Sequence, residues 1–256
     1  MSNLHRYYDA SVQLSEGCSG SLDVEESRHA LKAMRQRSGD AIRVFDAHGA
    51  EFVCVIEAAD GGSVQYRAER AVEGETESVV QPILGMALAK SDKFELVCQK
   101  ATELGVAEIV PFYSRHCVAA PTDAKREAAK HERRQSILLS AVKQCGRRRI
   151  PRLDLPMALD DLLQRYQPPQ ITPRLIAWEG ADAASPLLSE RLKNWNPADL
   201  PRPAILIGPE GGWDASEIDL AKQHGWEPVS LGRRILRCET AALAALSVIM
   251  SCASEM

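Results

Sequence analysis

From about residue 80 to the C-terminus, apolar runs of strand length alternate with longer amphipathic stretches, and this alternation limits the fold more than any other feature of the chain. "VVQPILGMAL", "AEIVPFYS", "RLIAWEG", "AILIGPE" and "PVSLG" read as strands. "KFELVCQKATELG", "TDAKREAAKHERRQSILLSAVKQCG", "DASEIDLAKQHG" and "ETAALAALSVIMSCA" read as helices. Strands that alternate with helices predict an α/β domain with a largely parallel sheet, since parallel neighbours need a long crossover between them. Pro82 has no N–H for a ladder, so its strand is expected to lie at an edge or to start late. Gly105 is expected to close the first of these helices, and Thr122 and Gly146 to cap and stop the long one.

The first seventy residues follow a different rule. "DAIRVFDAHGAEFVCVIEA" holds two runs of strand formers around a turn at Asp46-Ala47-His48-Gly49, and "SVQYRAER" follows as a third. A helix over roughly 26–37 precedes them and ends at Gly39. Strands at such short spacing predict a small barrel. The acidic, aperiodic stretch Ala71–Ser78 reads as the linker, which places the boundary between residues 1–73 and 74–256.

Composition narrows the class. With 256 residues and 45% apolar content, the chain can build one large core or two smaller ones. No apolar run approaches the roughly 20 residues of a membrane span, and the start lacks the apolar centre of a signal peptide, so a cytoplasmic protein is expected. Seven cysteines, an odd number with no C-x-x-C spacing, predict reduced thiols and no zinc site, and the six histidines form no ligand pattern. Net charge is −4, yet residues 90–152 hold 14 basic against 7 acidic residues. Such a concentration is the electrostatic footprint of a phosphate backbone or, equally, a solvated helix face. Within it, Arg126, Lys130, Arg133 and Arg134 share a stripe with Ile137, Leu138, Ala141, Val142 and Cys145. Arg147, Arg148 and Arg149 follow at the helix end. There the macrodipole favours cations, but three in a row exceed what a cap needs and are read as phosphate contacts.

Two strand-end loops carry the chemistry. Gly208-Pro209-Glu210-Gly211-Gly212 follows "AILI", and ligands of open α/β sheets bind beyond the carboxyl ends of strands. Its spacing fits neither a dinucleotide fingerprint nor a Walker loop, and no lysine follows. Glu210 would repel polyphosphate and suits a cation, a hydroxyl or an ammonium; a tight surface turn with an exposed acid is the plain alternative. Asp214 or Ser216 caps the next helix. In "LGRRILRCETAALAAL", Arg233, Arg234 and Arg237 crowd one connection, and Glu239 meets a helix N-terminus where capping alone accounts for it.

Taken together, "LIGPEGGW" and "LGRRILRCETAALAAL" resemble the SPOUT-class RNA methyltransferases and, within them, the ribosomal RNA small subunit methyltransferase E family. "FELVCQKATELGVAEIVPFYSRH", "AVKQCGRRRIP", "HRYYD" and "RHALKAMRQRSGDAIRVFDAHG" extend the resemblance over nearly the whole chain. It implies an N-terminal PUA-like RNA-binding β-barrel and a C-terminal α/β domain with a deep trefoil knot, which ordinary connection rules would not produce. It implies a homodimer that binds S-adenosylmethionine without a metal and methylates N3 of a uridine in 16S rRNA of the small ribosomal subunit (uracil 1498 in the family's full name).

By matching motifs, the cofactor residues are Ile207, Gly208, Glu210, Gly211, Gly212, Leu231, Gly232, Ile235, Leu236, Arg237 and Thr240. The strand end Trp178-Glu179 is expected on the same wall. Candidate RNA contacts are Arg6, Arg133, Arg134, Arg147, Arg148 and Arg149. Methyl transfer needs proximity and in-line geometry. Loss of the weakly acidic N3 proton calls for a base, Glu210 or Glu239, or for an arginine, Arg237, facing the developing anion. A knotted methyltransferase acting on another RNA, or a non-enzymatic RNA-binding assembly protein, are the alternatives; the second has no need of both strand-end loops.

Overall fold

A computed structural model describes residues 4–74, 76–117, 123–168, 171–180, 185–199 and 201–256. Thr122 lies outside them. The chain divides into two compact units, 1–77 with 142–150, and 78–141 with 151–256.

In the first unit, β1 (Arg6–Asp9), β2 (Ser19–Ser21), β3 (Ala41–Asp46), β4 (Glu51–Asp60) and β5 (Ser63–Ala71) form one sheet in the order β1-β3-β4-β5-β2. β1 runs parallel to β3, and the remaining pairs are antiparallel. Register shifts between Val53 and Cys54 and between Ile56 and Ala58 bend β4. The sheet curls far enough for Tyr66 Oη on β5 to donate to Asp9 Oδ2 at the end of β1, 2.7 Å away. Tyr7, Ile42, Val44, Ile56, Val64 and Tyr66 fill the core. The helix expected over 26–37 is shorter and starts earlier: α1 (Val24–Arg28) is capped by Asp23 and runs into a π-helical turn, His29–Ala33.

The second unit holds a seven-stranded sheet in which every pairing is parallel. Its strands are β6 (Ile83–Ala87), β7 (Glu108–Tyr113), β8 (Arg152–Leu153), β9 (Met157–Ala158), β10 (Arg174–Ala177), β11 (Ala204–Ile207) and β12 (Glu227–Val229). Their order is β12-β10-β11-β6-β7-β8, with β9 also on β7. β11 therefore enters between β6 and β10, both of which precede it in the chain. β6 and β11 are buried throughout, as central parallel strands covered on both faces must be.

Pro82 sits immediately before β6, so the strand starts late as expected, but it is central and not an edge. Pro111 lies within β7 where pairing to the outer neighbour passes from β8 to β9, so its missing N–H breaks no ladder bond. Of the helices α2 (Ser91–Glu103), α3 (Ala124–Cys145), α4 (Leu159–Arg165), α5 (Leu188–Leu192), α6 (Ala215–Gln223) and α7 (Cys238–Cys252), α2, α5 and α7 pack together. α4 and α6 cover the other face over Leu206, Phe112, Trp213 and Trp226. Asp123 caps α3, its carboxylate accepting from Arg126 N at 3.0 Å. The sequence had no clear signal for α4, α5, β8 or β9.

Candidate active site

The carboxyl ends of β10, β11 and β12 open onto one cavity of about 370 Å³. Its walls are three loops. The first is Trp178 and Glu179 after β10, the second is Gly208–Gly212 after β11, and the third runs from Ser230 to Arg237 into α7. Ile207, Gly208, Glu210, Gly212, Leu231, Gly232, Ile235, Leu236 and Arg237, all expected from sequence, line this space. Gly211 and Thr240 do not. Gly211 is backed against His116, whose Cβ would lie 2.8 Å from an added Cβ, and Thr240 is exposed on the first turn of α7.

The β11 loop keeps its shape through buried contacts. Trp213 Nε1 donates to Ala177 O at 2.8 Å, which ties this loop to the end of β10, and the indole stacks on Phe112 at 5.7 Å. Asp214 caps α6, accepting from Ser216 N at 2.9 Å, and Glu217 completes a capping box. The buried Glu217 carboxylate also accepts from Ser114 Oγ and Arg115 N, both at 3.0 Å, so the loop after β7 is fixed by the same side chain. Gly212 takes φ +76°, a left-handed conformation suited to glycine.

Charge in the cavity is arranged around a residue that sequence reasoning missed. Lys93, in the first turn of α2, lines the cavity, donates to Glu210 Oε1 at 3.4 Å and lies 3.9 Å from Glu239. Partial desolvation works against its ammonium, but the hydrogen bond to Glu210 and the charges of Glu239 and Glu210 outweigh this and hold it above the ordinary lysine range. A signal was available, because a lysine in the first turn opposes the helix dipole and such local conflicts gather at functional sites. Glu239 stands behind the cavity wall. Burial alone would raise its carboxyl; its own amide, the Cys238 thiol, Lys93 and Arg237 more than offset that and hold it below the usual carboxylate range. Burial, reinforced by Glu239 and Glu210, pushes the Cys238 thiol up to about 12, so it remains a protonated donor, 3.3 Å from Glu239 Oε2. Arg237 is the N-cap residue of α7, which turns that helix's positive end and a guanidinium toward the same space.

The candidate RNA contacts do not converge. Arg6, on β1, donates to Glu51 Oε1 at 2.8 Å and to the carbonyls of Val142, Lys143 and Arg147. Arg147 bonds Glu77 at 3.0 Å, and Arg148 bonds Glu51 at 3.1 Å and the Val72 carbonyl at 2.9 Å. Arg134 is buried, paired with Glu127 at 3.2 Å and lying 4.5 Å from the centre of the Phe94 ring. These four side chains are internal ties: carboxylates distant in sequence hold Arg6, Arg147 and Arg148, and Arg134 is held within α3 by Glu127 and against the Phe94 ring. Arg133 and Arg149 are exposed, the former held by Glu95 at 2.8 Å.

All seven cysteines are free, and among the described residues no group of three or more His, Cys, Asp or Glu is placed to hold a metal. Nor is any described helix long and apolar enough to cross a membrane.

Residues 76–250 match the family model "RNA methyltransferase domain", and residues 22–68 match "RNA methyltransferase PUA domain". Ribosomal RNA small subunit methyltransferase E of Bacillus subtilis is 30% identical over 243 residues, 93% of this chain and 91% of that one. Its counterpart in Mesomycoplasma hyopneumoniae is 37% identical over 173 residues, 67% and 70% of the two chains. The crystal structure of the Neisseria gonorrhoeae enzyme of that name, bound to S-adenosyl methionine, is 28% identical and superposes with a TM-score of 0.85, covering 97% of this chain and 98% of that one. Motifs, two-unit architecture and relatives agree: the chain belongs to the ribosomal RNA small subunit methyltransferase E family.

Proposed function

We propose that this chain transfers a methyl group from S-adenosylmethionine to N3 of a uridine in the 16S rRNA of the small ribosomal subunit, acting in the cytoplasm as a homodimer. The observation that carries the reading is the single cavity built by three strand-end loops at the carboxyl edge of β10, β11 and β12. The lining fits the cofactor's chemistry. Ile207, Leu231, Leu236 and Ala241 offer an apolar surface for a planar base, loop amides and carbonyls offer hydrogen bonds, and Glu179 and Glu210 suit a cationic group. When bound, S-adenosylmethionine supplies an electrophilic methyl on a sulfonium.

The protein's own residues then have separable tasks. Arg237 and the N-terminus of α7 stabilise the negative charge that spreads over the uracil oxygens as the N3 proton leaves. Glu210 lines the cavity and is the better-placed proton acceptor. Glu239, already accepting from its own amide and from Cys238 and held below the usual range, is a weak base and orders the loop with Lys93. Arg133 and Arg149 remain as RNA contacts, while Arg6, Arg134, Arg147 and Arg148 hold the fold.

Calorimetry with S-adenosylmethionine is expected to show one site per chain with micromolar affinity; no binding at millimolar concentration overturns the reading. Nucleoside mass spectrometry of 16S rRNA from a strain lacking the gene is expected to lose one N3-methyluridine. Arg237→Ala is expected to lower kcat by about 10²–10³-fold, the scale for removing one anion-stabilising donor, with little change in cofactor affinity. Glu210→Gln is expected to lower kcat by about 10²–10⁴-fold and to be rescued by raising pH, whereas Glu239→Gln leaves the pH profile in place. Light scattering at a monomer's mass would remove the homodimer from the proposal.

A further inference from the structure

The first unit contains a residue whose backbone conformation its side chain does not favour. α1 passes into the π-helical turn and ends at Met34, whose N–H bonds His29 O at 3.1 Å. Arg35 follows at φ +55°, one of two non-glycine residues in the left-handed region among the described residues. This first position beyond a helix cap is the one glycine most often fills, because a side chain there crowds the backbone. The turn around it is pinned. Gln36 N donates to Ala30 O at 3.0 Å, and the buried Gln36 side chain accepts from Tyr7 Oη at 2.5 Å. The fold therefore asks for glycine at 35 and receives an exposed arginine.

The same ten residues concentrate charge. Arg28, Lys32, Arg35 and Arg37 are all exposed, while Glu26, Ser27 and Ala30 face inward. Arg28 is within 4.0 Å of Glu25, and both are solvent-exposed. Among the described residues, Lys32, Arg35 and Arg37 have no carboxylate within ion-pair distance. Elsewhere in the unit most cations are neutralised, Arg70 and Arg149 excepted: Arg6, Arg43 and Arg148 on Glu51, Lys143 on Glu26, Arg147 on Glu77, and Arg67 on Glu57 and Glu69. Residues 1–89 carry 14 acidic and only 8 basic residues, and half of those basic residues lie in this stretch.

We propose that the Arg28–Arg37 segment is the surface through which the N-terminal unit holds RNA phosphates, and that arginine stands at the glycine-type position 35 for its charge, at the expense of local stability. The proposal rests on the RNA-methyltransferase reading above. The segment has no Phe, Tyr or Trp, and its one ring, the His29 imidazole, lies 5.9 Å from the Tyr7 ring, so the four cations hold RNA chiefly by its phosphates.

The test uses the full chain and an in vitro transcript of the 3′ domain of 16S rRNA, with affinity measured by fluorescence anisotropy across a salt series and stability by thermal melting. Arg35→Gly is expected to melt higher than the wild type yet bind the transcript several-fold more weakly. The slope of log K against log salt should flatten by about 0.7–0.9, the contribution of one phosphate contact. Arg35→Gln should bind as weakly without the gain in melting temperature. The triple variant Arg28→Gln/Lys32→Gln/Arg37→Gln should flatten the slope by about two to three contacts, with unchanged affinity for S-adenosylmethionine. Wild-type affinity and slope in both Arg35→Gly and the triple variant would overturn the proposal while leaving the RNA reading intact. A wild-type chain that fails to bind the transcript would overturn both. Loss of binding to ribosomal proteins with RNA affinity unchanged would assign the segment to a protein partner and overturn it as well.

Discussion

Gly208→Ala is expected to abolish high-affinity cofactor binding while leaving a folded protein. An added Cβ would lie 2.7 Å from Trp213 Nε1 and 2.9 Å from the neighbouring ring carbon, well inside contact distance. The indole cannot yield, because its N–H is bonded to Ala177 O and its face is stacked on Phe112. The loop must therefore move, and the loop is a wall of the cavity. Overpacking of this kind costs about 1–3 kcal/mol, enough to lower affinity by roughly 10- to 100-fold if the displacement falls on the cofactor loop. Calorimetry alongside a thermal melt separates the two effects. A variant that melts within a few degrees of the wild type and binds S-adenosylmethionine as tightly would show that the Gly208–Trp213 contact does not shape the site.

Glu51→Gln is expected to be among the most destabilising conservative changes in the chain, without touching the cavity. The Glu51 side chain has no solvent exposure and meets Arg6 at 2.8 Å, Arg43 at 3.0 Å and Arg148 at 3.1 Å. An amide of the same shape leaves three guanidinium groups around a neutral centre. Removing one member of a buried ionic cluster costs about 3–5 kcal/mol, which for a chain of this size corresponds to a fall in Tm of roughly 10 °C. Melting followed separately by near-UV absorbance and by cofactor protection should show the first unit failing before the second. A fall of less than about 2 °C would mean that the cluster contributes packing and little electrostatic stabilisation.

The same cluster shows where the sequence could and could not be read. The alternation of strand and helix identified β6, β7, β10, β11, β12 and the helices α2, α3, α6 and α7, because those elements bury continuous apolar faces and their periodicity is local. Pro82 correctly marked a late start, but strand order is set by pairings far along the chain, so a central strand was open to being read as an edge. β1 is only four residues long, with no alternation to distinguish it, and becomes a strand through its pairing with β3. In the arginine triplet the charge was legible but the internal pairing of Arg147 and Arg148 was not, since Glu77 and Glu51, which bind them, lie some seventy or more positions upstream. In the site, the glycine and arginine loops announced themselves by composition. Lys93 carried only the faint mark of a cation in the first turn of a helix, and its place became legible once the fold brought Glu210 and Glu239 to it.

The placement of β11 has a kinetic consequence. It pairs Ala204 with Ile83 on one side and with Arg174 on the other, so the middle of the sheet is completed by a segment that must insert between two strands made earlier in the chain. Contacts across such sequence distances close slowly, and during synthesis β6 and β10 emerge before the strand that joins them. The loop after β11 is one wall of the cavity, so the step that finishes the sheet also creates the binding site. A ligand that recognises only this finished arrangement draws the population toward it by mass action, and the protein's lifetime in the cell becomes coupled to the supply of its own methyl donor.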